Sequence, residues 1–301
     1  MTTNENKSKY ISIGGLAAGS GVPVETIRNW ELRYGFPAPI RLDSGHRRYD
    51  MNLITRLRKI KLLVDAGYKP SFAVNLEESE IDQLLVSVSL AGDTHDAESE
   101  DAQTTVRRWL MLTESMNTVE LNRVMARDWN RIGARRFIFE LTLPFLRDVG
   151  NRWESRTFSV AHEHFASEVL QAFLASRWRP LVSSNHKKKL ILANQEGDLH
   201  SLGLQMAAVL TTLHNVEPVF LGPNTPLQDI IVAANEQKAA AVVIGLSSVS
   251  DPESSARFLS RLHQSLLGVR LAFGGNDRIP GMSNVEYIAS LEDFDTWCRS
   301  I

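Results

Sequence analysis

The sequence predicts a multidomain protein of α and α/β class, with a winged helix-turn-helix head, a four-helix bundle and a flavodoxin-like, Rossmann-type parallel sheet. Three observations lead to this prediction. The chain of 301 residues is long enough for two or three domains with a buried core. Residues 104–186 have apolar residues at helical spacing, and from residue 187 short apolar strands alternate with helices.

Residues 11–34 predict two short helices around a turn. The apolar face of the first helix is formed by Ile13, Leu16 and Ala17. Gly21 permits the turn, and Pro23 suits the first position of the second helix. Ile27 and Trp30 point inward from that helix. Together these positions predict a helix-turn-helix.

The next stretch, FPAPIRLDSGHRRYD, predicts a hairpin followed by a third helix. The triplet Asp43-Ser44-Gly45 suits the turn of the hairpin. Three basic residues follow the triplet: His46, Arg47 and Arg48. The third helix has apolar residues spaced by four, three and four, at Leu53, Leu57, Ile60 and Val64.

Charge is divided unevenly along the chain. Residues 1–75 carry 12 Lys and Arg against 6 Asp and Glu, a balance of +6, whereas the remainder carries 21 against 29, a balance of −8. A basic head on an acidic body indicates that only the head meets a polyanion.

The single cysteine, Cys298, excludes an intrachain disulfide and a cysteine-based zinc site. The sequence has no apolar run of membrane-spanning length and no secretory signal, so we expect a cytoplasmic protein without membrane contact.

Residues 11 to about 75 resemble the winged helix-turn-helix head of MerR-type transcription factors. The resemblance rests on IGGLAAGSGVPVETIRNWELRYG, GHRRYD and the helix after them. It implies that residues 1–75 are a DNA-binding domain whose second helix enters the major groove of a double-stranded operator and whose wing contacts the backbone. The residues that it nominates are Arg28, Asn29, Arg33 and Tyr34 on the helix, with Arg47, Arg48 and Tyr49 on the wing. Guanidinium groups suit these contacts because they neutralise phosphates and bind guanine edges. The alternative is a solvated basic face.

Residues 76–103 end in a stretch rich in Ser, Asp and Glu, which predicts an acidic, flexible linker. Many MerR-type proteins continue from the head into a long antiparallel coiled coil that makes the dimer, and no such coil is expected here. Residues 104–186 then predict a compact bundle of about four helices. Its apolar markers are Leu110, Leu121, Val124, Phe137, Leu141 and Phe145.

Residues 187–301 predict an α/β domain with a parallel sheet. Its strands are KLILAN, VEPVFLG, AAVVIGL, VRLAFGG and VEYIAS. In open parallel sheets the ligand site lies beyond the carboxyl ends of the strands. Three loops meet this condition: EGDLHSLG after the first strand, Ser247 and Ser248 after AVVIGL, and the pair Gly274-Gly275 at the end of VRLAFGG.

These three loops resemble the motifs of the cobalamin-binding fold. Its DxHxxG motif corresponds to Asp198, His200 and Gly203, its serine motif to Ser247-Ser248-Val249, and its double glycine to Gly274-Gly275. The resemblance implies that His200 replaces the corrinoid's own base as the lower ligand of cobalt. Asp198 would fix the imidazole tautomer, and the glycines would leave room for the displaced nucleotide tail. The alternative is an ordinary turn histidine with Asp198 as a helix N-cap.

The bundle contains a motif that resembles W-x9-E-H of the CarH/LitR group of cobalamin-dependent, light-responsive repressors. The matching residues are Trp153, Val160, Glu163 and His164. The resemblance implies a bundle that caps the upper corrin face around the 5'-deoxyadenosine of adenosylcobalamin. It also implies a homotetramer that occupies the operator in the dark and falls apart when light cleaves the cobalt–carbon bond.

One position departs from that group. Some members have a histidine directly after the tryptophan, which captures cobalt from above after photolysis, and this chain has Glu154 there. A carboxylate is a poorer partner for low-spin cobalt(III) than imidazole, so His162 and His164 are the candidates to replace it.

Two other readings stay open. A regulator of the same architecture would work without cobalamin, or would sense another ligand or a protein partner. A corrinoid carrier subunit of a methyltransferase would share the bundle and the DxHxxG fold but would leave the basic head unexplained. No nucleophile with an adjacent base is recognisable, so we do not expect an enzyme.

Overall fold

The structure is a computed structural model that describes residues 9–41, 47–65, 68–91, 101–182, 188–247, 250–275, 279–280 and 282–301. The chain forms two compact units, residues 1–88 and residues 89–301. The predicted turn triplet 43–45, His46, Ser248 and Val249 lie outside the described residues.

The first unit is a small helical domain with a short antiparallel sheet of strand order β1-β3-β2. Its elements are β1 Tyr10–Ile11, α1 Ile13–Ser20, α2 Val24–Tyr34, β2 Ile40–Arg41, β3 Arg47–Asp50, α3 Leu53–Asp65, α4 Pro70–Ala73 and α5 Glu78–Ala91. The predicted helix-turn-helix is confirmed as α1 and α2, and the two arms of the predicted wing are β2 and β3.

Local sequence explains where α1 begins and ends and which face of α2 is buried. The Ser12 hydroxyl caps α1 by accepting the Gly15 N–H at 3.1 Å. Gly21 ends α1 with φ +71°, a conformation that glycine adopts without a steric penalty. Ile27 and Trp30 are buried as predicted, because they lie three residues apart on one face of α2.

The prediction of a flexible linker over residues 76–103 is wrong for α5. Ile81 and Leu85 of α5 are buried, so the acidic segment has an apolar face that its overall composition hid. Its acidic face pairs with a buried lysine of α3, since Lys59 Nζ lies 2.6 Å from Glu78 Oε1 and 2.6 Å from Asp82 Oδ1. Helix α5 therefore belongs to the head.

The second unit begins with the predicted bundle. Its helices are α6 Ala102–Glu114, α7 Thr118–Arg136, α8 Leu143–Glu154 and α9 Val160–Trp178, with a π-helical segment Phe137–Thr142 between α7 and α8. The core of the bundle is aromatic, with neighbouring ring centroids 5.2 to 5.9 Å apart. The rings belong to Trp109, Trp129, Phe137, Phe145 and Phe173. No helix within the described residues is long and apolar enough to cross a membrane.

The remainder of the second unit is a five-stranded parallel sheet of order β5-β4-β6-β7-β8 with helices between the strands. Its elements are β4 Lys188–Gln195, α10 Leu202–Leu213, β5 Val216–Thr225, α11 Leu227–Glu236, β6 Ala241–Leu246, α12 Pro252–Ser265, β7 Arg270–Gly275, β8 Glu286–Ile288 and α13 Leu291–Cys298. This is the flavodoxin-like order, so the predicted fold is confirmed.

The strand order determines where a ligand can enter. The chain leaves β4 first toward β5 at one edge and later returns to β6 on the other side of β4. The carboxyl ends of β4 and β6 therefore flank a topological switch point, where a crevice opens between diverging loops. The loops that carry the DxHxxG residues and Ser247 follow these two strands.

The bundle and the sheet share one hydrophobic core, mainly between α9 and α10. Trp178 Nε1 of α9 donates to Gln205 Oε1 of α10 at 2.7 Å. Arg135 Nε of α7 donates to the buried Asp295 of α13 at 2.8 Å. The bundle is therefore packed against helices α10 and α13 of the α/β part of this unit.

Candidate functional site

The loop between β4 and α10 presents an imidazole to solvent on a buried carboxylate. Asp198 Oδ1 accepts the His200 backbone N–H at 3.0 Å and lies 3.0 Å from His200 Nδ1. A carboxylate oxygen can only accept, so Nδ1 carries the hydrogen and Nε2 keeps its lone pair. The His200 side chain is 65% exposed, and Nε2 has no partner among the residues that the structure describes. The imidazole is thus oriented and free to bind a metal through Nε2.

The second oxygen of Asp198 reaches the neighbouring strand end. Oδ2 accepts the Ser247 N–H at 2.8 Å and the Ser250 hydroxyl at 3.1 Å. Burial acts to raise the pKa of Asp198, but the hydrogen bonds from His200 and Ser247 outweigh it and hold the pKa below its ordinary value. The carboxylate is therefore ionised at neutral pH. It does not serve as the N-cap of α10, which is Ser201.

Two further polar residues, which the sequence analysis did not predict, form hydrogen bonds with the loop. Asn194, at the end of β4, donates from Nδ2 to the His200 carbonyl. Asn224 donates its N–H to the Asp198 carbonyl at 2.8 Å and accepts the Gly197 N–H on Oδ1 at 2.8 Å. An asparagine at a strand end, as in ILAN and in LGPNT, was the available signal. These hydrogen bonds tie the loop to the ends of β4 and β5.

A cavity of about 330 Å³ lies beside His200, between the carboxyl ends of β6 to β8 and helices α10 and α13. It brings together five of the predicted site residues: His200, Gly203, Ser247, Gly274 and Gly275. The walls are mainly apolar and include side chains of α13 that the sequence did not single out, Leu291 and Phe294.

At two of the glycines on this wall a Cβ would collide with the neighbouring strand. Gly275 lies opposite Leu246 in the parallel pair of β7 and β6, and a Cβ at Gly275 would collide with the Leu246 carbonyl. A Cβ at Gly245 would collide with Oδ1 of its β4 neighbour Asn194. A Cβ at Gly203 would meet no atom within 4 Å. Gly203 therefore leaves open space, whereas the glycines of the strands let the strand ends come together.

The four predicted upper-face residues lie on either side of the turn from α8 to α9. Trp153 is 49% exposed near the end of α8, and Val160 is 54% exposed at the start of α9. Glu163 Oε1 accepts the Ser167 hydroxyl at 2.8 Å, and Glu163 Oε2 lies 2.6 Å from His164 Nδ1. Between described residues, no hydrogen bond or ion pair joins this turn to His200.

The two histidines that are candidates to replace one at position 154 differ in their contacts. His162 is engaged, because its Nδ1 accepts the Ser159 N–H at 3.1 Å and its ring stacks on Phe158 at 5.0 Å. His164 is exposed, with only Nδ1 directed at Glu163. Glu154 itself is exposed at the end of α8.

The head presents a partly neutralised basic surface. Arg28, Asn29 and Arg33 are exposed on α2, and Tyr34 is half-buried. Arg28 pairs with Glu25 at 2.9 Å, whereas Arg33 has no partner among the described residues. On the wing, Arg47 is exposed and Arg48 is half-buried.

The prediction that the Tyr49 side chain contacts DNA is wrong. Tyr49 is fully buried, and its hydroxyl donates to Glu31 Oε2 of α2 at 2.8 Å. Glu31 Oε1 also pairs with Arg47 Nε at 3.2 Å. Burial and the Glu31 carboxylate raise the pKa of Tyr49 to about 12. Tyr49 thus attaches the wing to the second helix, because the alternation of side chains along β3 turns it inward.

The described residues contain no group of three or more His, Cys, Asp or Glu side chains placed to hold a metal ion. A lone oriented imidazole suits a metal whose other ligands come with it, as in a macrocycle.

Comparisons with known proteins give matches within both units of the chain. The profile of the MerR HTH family of regulatory proteins matches residues 11–78, and that of a B12 binding domain matches residues 115–177. The chain is 30% identical over 250 residues to the HTH-type transcriptional repressor CarH of Myxococcus xanthus, covering 82% of each chain. It is 23% identical over 262 residues to the HTH-type transcriptional repressor CarA of the same bacterium, covering 86% of this chain and 84% of CarA.

Among solved structures, the monomethylamine corrinoid protein of Methanosarcina barkeri has a similar fold. It superposes with a TM-score of 0.53 at 15% sequence identity, over 66% of this chain and 99% of that protein. At this identity the likeness concerns the fold of the bundle and the sheet.

Proposed function

The chain belongs to the family of MerR-type transcriptional regulators with a B12-binding domain that includes CarH, and we propose that it is a cobalamin-dependent repressor. In this proposal the head binds double-stranded operator DNA and His200 binds cobalt. Adenosylcobalamin is the bound form, light is the signal, and the ligand-bound assembly is a homotetramer that dissociates on illumination.

The observation that carries the proposal is the held imidazole beside the cavity. In the proposed mode His200 would replace the corrinoid's own base as a cobalt ligand, and a neutral imidazole with a free Nε2 is a good donor for this role. Asp198 supplies the carboxylate that fixes such a ligand, with hydrogen bonds to the ring and to the backbone of His200. The adjacent cavity of about 330 Å³, open at Gly203, would take the displaced nucleotide tail. The residues present therefore fit cobalamin.

The α8–α9 turn is proposed as the wall above the corrin. Trp153 and Val160 expose apolar surface that a bound group would cover, and Leu199, next to His200, is 71% exposed in the same way. Glu163 offers carboxylate oxygens to ribose hydroxyls, and its contacts with Ser167 and His164 orient it. Adenosylcobalamin, when bound, supplies a weak and coloured cobalt–carbon bond that visible light can cleave.

The head is proposed to bind DNA through exposed cations. Arg28, Arg33 and Arg47 would neutralise phosphates or read guanine edges, and Asn29 would read adenine. Tyr34 and Arg48, both half-buried, would contact the backbone. The Glu25 and Glu31 carboxylates that pair with Arg28 and Arg47 would have to yield these arginines to phosphates.

The cofactor experiment is the absorption spectrum of the purified full chain after incubation with adenosylcobalamin and gel filtration in the dark. We expect retained colour with a base-off spectrum in which imidazole binds cobalt. His200→Ala should lose that spectrum, whereas His263→Ala, near the carboxyl end of helix α12, should keep it. A chain that retains no colour, or a His200→Ala variant with an unchanged spectrum, would point to a regulator that works without cobalamin.

Illumination tests the light response. Dark and illuminated samples with adenosylcobalamin should elute at different volumes on gel filtration, with the larger species in the dark. Glu154→His should stabilise the illuminated product, because imidazole is the better upper partner of cobalt(III). Identical elution in the two conditions rejects control of assembly by light.

Salt dependence tests the DNA contacts. The log of the affinity for operator DNA should fall linearly with log salt concentration, and Arg47→Ala should reduce the slope by about 1 if one phosphate contact is lost. Arg257→Ala, an exposed arginine of α12, is the matched control and should leave the slope unchanged. An unchanged slope for Arg47→Ala removes Arg47 from the contacts.

A further inference from the structure

The N-cap of α10 uses its side chain in an unusual way. Ser201 occupies the cap position, and its carbonyl accepts the Gln205 N–H at 3.0 Å, as a cap residue should. Its hydroxyl, however, makes no hydrogen bond to the first turn of α10. It donates instead to Gln171 Oε1 in the middle of α9. A cap serine normally stabilises its own helix through this oxygen, so the contact with α9 replaces a local interaction.

Gln171 contacts Ser201, the residue that directly follows the proposed cobalt ligand His200. His200 is held at its ring and N–H by Asp198 and at its carbonyl by Asn194, and both of these residues belong to the sheet domain. Ser201 is the next residue in the chain, and Gln171 holds it from the bundle. Among the hydrogen bonds that this loop makes with described residues, the one that Ser201 donates to Gln171 is the contribution of the bundle.

Gln171 also shares a helix face with the proposed upper wall. Glu163, Ser167 and Gln171 are spaced by four residues, so they follow one another along one side of α9. The Ser167 hydroxyl donates to Glu163 Oε1 at 2.8 Å. At 1.5 Å per residue, Glu163 and Gln171 are about 12 Å apart along the helix axis. A shift of α9 at one of these positions moves the other, because the helix between them is continuous.

We propose that Gln171 is a positioning residue that connects the loop of His200 to the bundle, so that the placement of the lower cobalt ligand depends on how α9 is docked. The inference rests on the proposed function, since it concerns two sides of the same proposed cobalamin site. These sides are the loop of His200 and the α8–α9 turn. By linkage, a ligand bound near Glu163 and a metal bound at His200 then affect each other's affinity equally.

The test uses the full chain with hydroxocobalamin and three variants. Gln171→Met keeps the length of the side chain and removes the acceptor, Gln171→Glu keeps an acceptor, and Ser201→Ala removes the donor. The readouts are the cobalamin dissociation constant and, after reduction to cobalt(II), the nitrogen superhyperfine splitting that reports axial imidazole in electron paramagnetic resonance spectra.

We expect Gln171→Met and Ser201→Ala each to weaken cobalamin binding about five- to tenfold, the size of one lost hydrogen bond, and to broaden the nitrogen splitting. Gln171→Glu should restore both readouts. The double variant should be no weaker than either single variant, because both remove one interaction. Gln205→Met is the matched control, since it breaks the other α9–α10 hydrogen bond, to Trp178, and should lower thermal stability without changing the nitrogen splitting.

Two results would overturn the inference while leaving the proposed function intact. One is His200-dependent binding that Gln171→Met changes by less than about twofold, with an unaltered splitting. The other is full additivity of Gln171→Met and Ser201→Ala. A wild-type chain that binds no cobalamin, or binds it equally without His200, refutes the proposed function itself.

Discussion

Replacing Asp198 with alanine tests the architecture of the site most directly. The Asp198 side chain is almost fully buried and accepts two backbone N–H groups, those of His200 and Ser247, together with the Ser250 hydroxyl and the His200 ring. In Asp198→Ala the two N–H groups lose their acceptor. Both hydrogen bonds are only part-buried, so each unpaired donor costs about 1 to 2 kcal/mol, and we expect a loss of about 2 to 4 kcal/mol in the free energy of unfolding.

The assay is thermal unfolding of the cofactor-free chain, followed by cobalamin titration. For a unit of roughly 200 residues, the expected loss corresponds to a melting temperature lower by about 4 to 16 °C. Cobalamin affinity should fall about 10- to 100-fold, as it does when a carboxylate behind a metal-bound histidine is removed. The control is Asp251→Ala, which breaks one exposed cap hydrogen bond to the Ser254 N–H at 2.8 Å and should cost about 1 kcal/mol with unchanged affinity.

The pH dependence of the same variant has a definite sign. The pKa of Asp198 is lowered in the folded protein, because its hydrogen bonds outweigh the opposing effect of burial. Its contribution to stability is therefore present above the ordinary value of 3.8 and is lost as the pH falls below that value. The stability difference between wild type and Asp198→Ala should be constant near neutral pH and shrink in acid.

One result would refute the role given to Asp198 in both stability and binding. It is that the Asp198→Ala and Asp251→Ala variants melt at the same temperature and bind cobalamin with the same affinity.

Three further substitutions test the cavity and the head. Gly203→Leu should leave stability unchanged, because its Cβ meets open space, and should weaken cobalamin binding about tenfold or more while sparing cobinamide, which lacks the nucleotide tail. Tyr49→Phe should lower the free energy of unfolding of the head by about 1.5 to 3 kcal/mol in urea titrations, since it removes a hydrogen bond to a charged acceptor, Glu31. Lys59→Met should destabilise the head by about 3 to 5 kcal/mol and expose α5 to proteases, because two carboxylates lose a buried partner. Unchanged cobalamin binding would contradict the first expectation, and an unchanged urea midpoint of Tyr49→Phe the second. An α5 that resists proteases in Lys59→Met would contradict the third.

Most secondary structure could be predicted from the sequence, because each element buries a face that its own spacing marks. The second helix of the head shows Ile27 and Trp30 three residues apart, and both are buried. The five strands appear as short apolar runs between polar turns, and all five are present. The general rule for alternating strands and helices predicted that the sheet is parallel, and the structure supplies the order of the strands in it.

The two errors have a common cause. The segment with α5 looked like a linker because it is acidic, yet its carboxylates face Lys59 across the head. Tyr49 looked like a wing contact because it follows two arginines, yet its side chain points to Glu31. In both cases the role of a side chain is set by a partner that lies 18 or more positions away in the chain.

The contact between Asp198 and His200 lies within the reach of sequence reasoning, because two residues of one short loop can meet only locally. Their spacing, with the serine and glycine residues at neighbouring strand ends, was enough to indicate an oriented imidazole at the edge of a parallel sheet. The strand order then puts Ser247 and Ser250 onto the same carboxylate, and the packing of α9 against α10 puts Gln171 onto Ser201. These partners come from separate elements, and no local spacing encodes them, since the distance between two elements is set by how their side chains pack.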